Sequence, residues 1–396
     1  MPTANCQLPT GIFPTANCQL PTDFKMRAKH TLLIATLALT FIGAMMVYSS
    51  SAIYAWKYFS STYFFLRREF IFLLIGFAGM TAAVNIDYHL LQKQSRKILL
   101  FSIFLLILAL IPPFSRMAGG AKRWLTLLPW GYFKNFSFQP SEAAKFSLLL
   151  YLSSFFSRHQ IEIKNFWRGF FPPLLITLLM ASLIFIQPDL GTTFLLFCLF
   201  FIIAFSAGVR LKHLLVLFFS SLLSAPFLIF IRPYWIKRVI SFFHPFRDPQ
   251  GAGWQIIQSF IAFKNGGLLG IGLGASRQKL FYLPGCHTDF IFSIIGEELG
   301  LLGSTAVIFL FVLLITSGIK ITLRAKDLAG HLLALGITML IGLQAVINIA
   351  VVTGLLPTKG LPLPFISYGG SALVFNMLGV GILINIANNS SDFNET

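Results

Sequence analysis

Asp289 is the residue whose type and position best suit proton transfer. It follows His287 and Thr288 and directly precedes an apolar run, 290–319, that is long enough to cross a membrane. A carboxylate at a membrane edge is partly removed from water, which raises its pKa and suits a general base. The positive end of a helix beginning there would stabilise the anion instead, and helix capping explains the residue equally well. A base and a structural cap both remain open.

Cations are concentrated in the segments that we expect on the same side of the membrane as Asp289. Arginine makes forked contacts with phosphate-bearing anions, so these residues predict an anionic ligand. Anchoring to lipid headgroups is the alternative, and it is sufficient for more than half of them. The cations are Lys122, Arg123, Arg232, Lys237, Arg238, Arg247, Lys264, Arg277, Lys279 and Lys359.

Two polar sets open apolar runs. Glu142 and Lys145 follow Gln139-Pro140-Ser141, which is typical of a helix start, and they lie one turn apart where they can pair. Lys145 nevertheless points into apolar surroundings. Asp189 lies in a tight turn between two spans, where capping the next helix is the more favoured interpretation.

Glu297 and Glu298 lie inside a predicted span, where acids are costly. Either they are functional or a cation from a neighbouring helix pairs with them. The glycine-rich run 266–274 has no Lys-Ser/Thr of a nucleotide loop and is predicted to be flexible or re-entrant backbone.

The composition shows that these residues belong to a chain built for a lipid bilayer. Of 396 residues, 56% are hydrophobic and 11% are charged, against about 25% charged in soluble chains. A soluble domain, collagen, disorder and a disulfide scaffold are thereby excluded. The net charge of +17 would suggest nucleic acid in a soluble protein. Here the cations lie in loops between apolar runs, so we predict membrane lipids and no nucleic acid as partners.

The hydropathy pattern predicts an all-α integral membrane protein, a bundle of about ten transmembrane helices. A large extracytoplasmic loop, 232–289, separates helices 7 and 8. An even number of spans puts both termini on one side, and the lysines and arginines of the short loops favour the cytoplasm for that side. The predicted spans are 31–50, 69–86, 98–112, 140–157, 170–187, 190–208, 212–231, 290–319, 328–353 and 370–388.

The domain organisation is simple. PTANCQLPT occurs at 2–10 and again at 14–22, so we interpret residues 1–25 as a non-native or disordered extension. Residues 26–390 are predicted to form one transmembrane domain, followed by a short cytoplasmic tail, 391–396. The four cysteines fit neither a disulfide set nor a zinc site.

Seven motifs, in order along the chain, resemble the SEDS family, the FtsW/RodA/SpoVE proteins of bacterial cell-wall synthesis. The last two are more similar to the division-type branch, FtsW, than to the elongation-type branch, RodA. The motifs are GAKRWL (120–125), QPSEAAK (139–145), QPDLGTT (187–193), DPQGAGWQIIQS (248–259), HTDFIF (287–292), GEELGLLG (296–303) and LPTKGLPLPFISYGGSA (356–372).

The resemblance implies a peptidoglycan glycosyltransferase that polymerises lipid II at the outer face of the bacterial cytoplasmic membrane. It implies a class B penicillin-binding transpeptidase and other division proteins as partners, and an essential aspartate at Asp289. Many members carry Pro-Glu before His-Thr-Asp, whereas Pro284-Gly285-Cys286 stands here. We predict substrate-binding positions at Lys122, Arg123, Glu142, Lys145, Asp189, His287, Thr288, Lys359 and Ser367.

The implied reaction needs a base near a sugar hydroxyl and positive charge beside a departing pyrophosphate. Asp289 and the cations meet these needs, with Mg²⁺ or Mn²⁺ as an additional expectation. A lipid II flippase is the main rival, and inverted repeats or broken midplane helices would favour it. A non-enzymatic division scaffold is the third alternative, but it leaves Asp289 and the outward cations without a task.

Overall fold

The computed structural model describes residues 22–112, 114–118, 121–126, 137–230, 233–251 and 253–389. The predicted extension lies outside this part of the chain up to residue 21, and the predicted tail 391–396 lies wholly outside it. The same is true of Arg232 and of the side chain of Lys122.

The described residues are almost entirely helical, as predicted. Ten helices, α1, α2, α4–α8 and α11–α13, coincide with the ten predicted spans. The helices are α1 Thr22–Phe59, α2 Phe64–Asn85, α3 Tyr88–Lys93, α4 Ser95–Leu108, α5 Pro140–Arg158, α6 Phe171–Ile186, α7 Leu190–Ser206, α8 Leu211–Phe230, α9 Pro233–Phe243, α10 Trp254–Gly266, α11 Ile291–Leu323, α12 Leu328–Val352 and α13 Gly370–Asn389.

Five stretches of the described chain are long and apolar enough by themselves to cross a membrane, so the number ten stays a prediction. These are Arg27–Phe59, Phe166–Ile186, Ile291–Leu323, Leu328–Val352 and Gly370–Asn389.

Local sequence explains where the helices begin. Pro140 opens α5 in the first turn, where its missing N–H costs nothing, and Glu142 places an acid near the positive end. Asp189 caps α7 and Asp327 caps α12, because each side chain accepts a backbone N–H from the first turn.

The start of α1 and the end of α13 lie on the same side of the molecule. Nζ of Lys29, near the start of α1, donates to Oδ1 of Asn388 at the end of α13, at 2.8 Å. At the opposite end of the molecule, the loop before α11 contacts the loop before α13. Both loops belong to segments that the sequence predicts on the same side of the membrane as Asp289.

A small antiparallel sheet departs from the all-α prediction. Strands β1 (Ser115–Ala118), β2 (Ala121–Thr126) and β3 (Ser137–Phe138) are ordered β1-β2-β3 within the predicted loop 113–138. Leu125 of β2 is buried against the end of α4, which fixes the sheet on the bundle. Pairing of the strands satisfies backbone groups that a bare loop at this depth would leave unpaired.

Helix α11 is broken at Gly300, where the sequence predicted one long span. Gly300 has φ 67° and ψ −162°, a conformation that glycine adopts without a Cβ clash. The glycine-rich run 266–274 packs into the break, and its re-entrant position in the membrane stays a prediction. Four backbone hydrogen bonds join the two, from Leu301 to Gly267 (2.9 Å), Leu302 to Leu268 (3.2 Å), Ile271 to Glu297 (3.1 Å) and Gly272 to Glu298 (3.1 Å).

The adjacent acids at this break, Glu297 and Glu298, bond to other protein groups in the described chain. Nζ of Lys279 lies 2.8 Å from Oε1 of Glu298, with both side chains buried. Ser49 of α1 donates to both Glu298 oxygens (2.8 and 2.7 Å), and Ser276 donates to Glu297. The pairing alternative is therefore correct for Glu298, whose cation comes from the loop itself, whereas Glu297 accepts hydrogen bonds and has no cation partner in the described chain.

Candidate active site

Asp289 is presented by a tight turn and does not cap a helix. Gly285, at φ 73°, begins the turn, and its carbonyl accepts the N–H groups of Thr288 and Phe290 (3.0 and 3.1 Å). Helix α11 begins only at Ile291, with Phe290 in the capping position. The capping alternative for Asp289 is therefore wrong, and its carboxylate is available for other chemistry.

Three charged side chains act on this carboxylate. Burial raises the pKa of Asp289 to about 6. The positive charges of Arg123 and Arg238 oppose this rise, and the negative charge of Asp189 adds to it. Among the described residues, none donates a hydrogen bond to the Asp289 carboxyl. A carboxyl with a pKa near neutrality and an unused acceptor pair is a competent general base.

Arg123 is held against the turn between α6 and α7. Its Nε donates to the carbonyl of Gln187 at 3.1 Å, and its Nη2 donates to the carbonyl of Pro188. Asp189 is engaged in the same turn, since its carboxylate accepts the N–H and the hydroxyl of Thr192, both at 3.0 Å. The turn thus holds Arg123 of β2 beside Asp289. Asp189 caps α7, so the capping alternative for Asp189 is the correct one.

Asn348 joins the Asp289 turn to the loop before α13, and sequence analysis missed it. Its Nδ2 donates to the carbonyls of Asp289 (2.8 Å) and Leu361 (2.7 Å) from a buried position on α12. An amide inside an apolar helix was the available signal, because buried polar groups have partners.

Ser367 and Thr288 connect the same two loops. The Ser367 hydroxyl donates to the carbonyl of Thr288 at 2.6 Å and accepts the N–H of Leu363 at 2.8 Å. The hydroxyl of Thr288 donates to the carbonyl of Gly285 at 3.3 Å. Both predicted binding residues thus carry internal hydrogen bonds, and direct contact with substrate stays a prediction for them.

His287 lies in an aromatic cluster beside the turn. Its ring centroid is 5.0 Å from that of Phe65, 5.5 Å from that of Tyr54 and 6.1 Å from that of Tyr368. Burial lowers the pKa of His287 to about 4, so the ring is neutral at physiological pH. These ring contacts explain a packing role for His287. Contact of His287 with substrate remains a prediction.

Lys359 and Arg238 bring positive charge to the loop before α13. Arg238 of α9 donates to the carbonyl of Thr358 at 2.7 Å. Nζ of Lys359 lies 4.5 Å above the ring of Phe194 on α7, and burial lowers the pKa of this lysine. Both half-buried cations are thus held beside the loop before α13, and contact of Lys359 with a substrate stays a prediction.

Glu142 and Lys145 form a buried pair inside the bundle. Lys145 Nζ donates to Glu142 Oε1 at 2.8 Å and to Oε1 of Gln344 on α12 at 3.4 Å. Glu142 Oε2 and Gln344 Nε2 are buried without a hydrogen-bond partner in the described chain. No contact in that part of the chain joins this pair to Asp289, so the predicted substrate role of both residues stays a prediction.

The residues around Asp289 do not by themselves fit a divalent cation. Mg²⁺ requires about six oxygen ligands in octahedral geometry. Both oxygens of Asp189 are engaged by Thr192, and two guanidinium groups act on Asp289. No group of three His, Cys, Asp or Glu side chains suited to a metal occurs in the described ranges. The expected Mg²⁺ or Mn²⁺ therefore stays a prediction.

Comparison with known proteins places this geometry in a family. The family model FTSW_RODA_SPOVE, described as "Cell cycle protein", matches residues 30–392. The chain belongs to the FtsW/RodA/SpoVE family. The family prediction is therefore confirmed over nearly the whole predicted transmembrane domain.

Similar proteins of this family come from several bacteria. The "Probable peptidoglycan glycosyltransferase FtsW" of Geobacter sp. (strain M18) is 41% identical, covering 90% of this chain and 95% of its own. The "Stage V sporulation protein E" of Bacillus subtilis (strain 168) is 43% identical, covering 90% and 96%.

Two solved structures show the same fold. A chain of a peptidoglycan synthase complex, described as coordinating polymerization and crosslinking, has a TM-score of 0.74 at 30% identity and covers 91% of this chain and 98% of that one. The rod shape determining protein RodA of Thermus thermophilus has a TM-score of 0.66 at 25% identity, covering 91% and 96%. The predicted helical membrane fold is thereby confirmed.

Proposed function

We propose that this chain is a peptidoglycan glycosyltransferase that polymerises lipid II during cell division, with Asp289 as general base. The observation that carries the proposal is a partly buried carboxyl, free of hydrogen-bond donors in the described chain, beside Arg123 and Arg238. Family membership and relatives named peptidoglycan glycosyltransferase support the reaction type.

The charges suit the two halves of glycosyl transfer. The base accepts a proton from the 4-hydroxyl of one disaccharide as its oxygen attacks the anomeric carbon of another. The bond from that carbon to the pyrophosphate breaks, and its electron pair leaves with the undecaprenyl pyrophosphate. Positive charge beside the departing group stabilises the transition state, and Arg123 and Arg238 supply it here.

The membrane geometry supports a site at the outer face. Short-loop lysines and arginines favour a cytoplasmic position for both termini, which leaves the Asp289 end outside, where lipid-linked sugars can be polymerised. A class B penicillin-binding transpeptidase is the expected partner, along with other division proteins. The related chain solved within a peptidoglycan synthase complex supports such an assembly.

Transport of lipid II is the second candidate, because the break in α11 is a feature that broken-helix transporters share. In those proteins the freed backbone groups face a substrate cavity. Here the groups on either side of Gly300 are bonded to the glycine-rich run 266–274. The break is therefore closed by protein, which favours the enzyme.

The test is polymerisation of fluorescent lipid II by the purified chain, alone and with its transpeptidase partner. Asp289→Asn should lower the initial rate by about 10²-fold to 10⁴-fold, the usual contribution of a general base. Asp248→Asn, an exposed acid of the same outer segment, serves as the matched control and should polymerise normally. Wild-type rates for a folded Asp289→Asn protein would exclude the proposed base.

Transport is measured separately in vesicles that contain the protein and labelled lipid II. The enzyme proposal expects the Asp289→Asn rate of lipid movement to equal that of wild type while polymer is lost. If wild-type vesicles show neither lipid movement nor polymer, with or without the partner and at every pH tested, both proposed activities are excluded.

A further inference from the structure

An open apolar groove runs between α7 and α8, near the end of α7 that lies farthest from Asp289. Asp189 caps the opposite end of α7, where its charge acts on Asp289. The groove has a volume of about 300 Å³. The side chains that line it are all apolar, among them Phe201, Phe205, Leu211, Leu215 and Phe218. The groove therefore lies in the half of the membrane that the short-loop charges favour as cytoplasmic.

Two cations flank the groove where α8 begins. Leu211 lines the groove, and its chain neighbours Arg210 and Lys212 are both exposed. No acid of the described residues pairs with either cation. Glu162, just before the segment that packs on the start of α8, lies 3.5 Å from Arg168 instead. This end of the groove therefore carries positive charge that the described chain does not neutralise.

The first turn of α8 adds partial positive charge at the same place. This helix begins at Leu211 and runs for 20 residues, and its first turn contains no acid. The N–H groups of a first turn have no partners within the helix, and the aligned peptide dipoles make this end positive. Phosphate groups bind favourably at such helix ends. The cations and the helix thus favour the same class of ligand, an anion bearing phosphate.

We infer that the groove and its charged end form a binding site for an anionic phospholipid. One acyl chain lies between α7 and α8, and the phosphate of the headgroup contacts Arg210 and Lys212. Basic sites between transmembrane helices on the cytoplasmic side are suited to anionic headgroups. A free anion would leave the apolar groove empty, and a neutral lipid would leave the two cations without a counter-charge. The inference goes beyond the proposed reaction and does not depend on it.

The size of the groove favours a lipid chain over a helix of a partner protein. A single helical turn, 5.4 Å long and about 10 Å across, occupies about 400 Å³. The groove offers about 300 Å³, which is less than one turn requires. A partner helix would therefore lay only its side chains across the opening, whereas one hydrocarbon chain enters the groove lengthwise.

The experiment measures lipid binding to the purified full chain in detergent by native mass spectrometry, with dioleoyl-phosphatidylglycerol and dioleoyl-phosphatidylcholine as probes. The first phosphatidylglycerol should bind at least about tenfold more tightly than the first phosphatidylcholine, because two cations lie beside its anionic headgroup. Arg210→Gln combined with Lys212→Gln should abolish this preference. Equal affinity of the wild-type chain for the two lipids overturns the inference.

A matched control removes the same charge elsewhere. Lys93→Gln combined with Lys97→Gln removes two exposed cations from the segment 87–97, which the sequence predicts on the same side of the membrane. This variant should keep the wild-type preference for phosphatidylglycerol. If it loses as much of the preference as the Arg210 and Lys212 variant, only the overall charge attracts the lipid and the inference is overturned.

The apolar half of the site is tested separately. Leu215 is 45% exposed, so Leu215→Trp fits the fold while its larger ring occupies the groove. The tightest-bound lipid should then be lost from both titrations. Leu222→Trp, 59% exposed on the same helix and outside the groove lining, is the control and should bind as wild type. Wild-type lipid affinity of a folded Leu215→Trp protein overturns the placement of the acyl chain.

Two competitors establish which ligand occupies the site. Inorganic phosphate should not displace phosphatidylglycerol, because the free anion gains nothing from the groove, and displacement by it would overturn the inference. The complex with the transpeptidase should retain the lipid at the affinity of the single chain. If the partner protein displaces the lipid, the groove is a protein contact and the inference is wrong.

Discussion

One amide nitrogen of Asn348 bonds to the carbonyl of Asp289 and to that of Leu361, at 2.8 and 2.7 Å. The turn that carries the base and the loop that carries Lys359 and Gly360 are thereby held at a fixed separation. Asn348 of α12, which does not titrate, thus fixes the position of the turn that carries the titratable Asp289.

Removing this bridge should lower turnover more than substrate affinity. Asn348→Leu keeps the approximate volume but leaves two carbonyls without their donor, at a cost of about 1–3 kcal/mol. We expect kcat to fall about tenfold or more with KM nearly unchanged. Thr338→Val, another buried polar residue of α12, is the control and should keep its kcat. Equal loss of kcat in both variants would indicate general helix damage.

Arg123 should set the pH at which the enzyme loses activity. Because the base must be ionised and the pKa of Asp289 is about 6, the rate should fall as pH decreases through this value. Arg123 lowers that pKa, so Arg123→Ala should move the acidic limb of the pH–rate profile to higher pH. The measurement is kcat/KM from pH 5 to 9, with Lys237→Ala, an exposed cation of α9, as the control. An unmoved limb would show that Arg123 does not act on the base.

The buried negative charge of Asp289 should lower the free energy of unfolding at neutral pH. Its pKa of about 6 in the folded protein exceeds the ordinary 3.8, so the folded state binds more protons between these values and stability falls as pH rises through them. Asp289→Asn should therefore be more stable than wild type at pH 8, by up to about 3 kcal/mol of unfolding free energy, and should unfold at a higher temperature. The difference should shrink below about pH 4. A variant less stable than wild type at pH 8 would contradict the unfavourable charge.

The sequence allowed the outline of the fold to be predicted, because spans and helix starts are local signals. Apolar runs located the helices, and Asp189 read correctly as a cap. The break at Gly300 could not be predicted, since glycine in a span is typical of close packing as well. Its partner, the run 266–274, lies about thirty residues upstream, and only the folded chain pairs them.

The site was predicted only in part for the same reason. Asp289 and Arg123 were named from their motifs, yet β2, which carries Arg123, lies in a segment interpreted as a loop. The amide of Asn348 inside an apolar helix indicated a buried polar partner, but its partners are backbone carbonyls, which the sequence does not identify. His287 and Ser367 were named from motifs of the family, and their packing and hydrogen bonds with the protein could be seen only in the fold.

The buried ion pair of Lys279 and Glu298 should be tested as a pair. Breaking it with Lys279→Met leaves an unpaired acid buried beside the α11 break, which should cost about 3–5 kcal/mol of unfolding free energy. Glu298→Gln alone should cost a similar amount, because the lysine charge is then unpaired. The double variant should recover much of this loss, since replacing both partners removes the uncompensated charge. Thermal unfolding of the four proteins gives the coupling energy, and strictly additive losses would mean that the two groups do not act on each other in the folded chain.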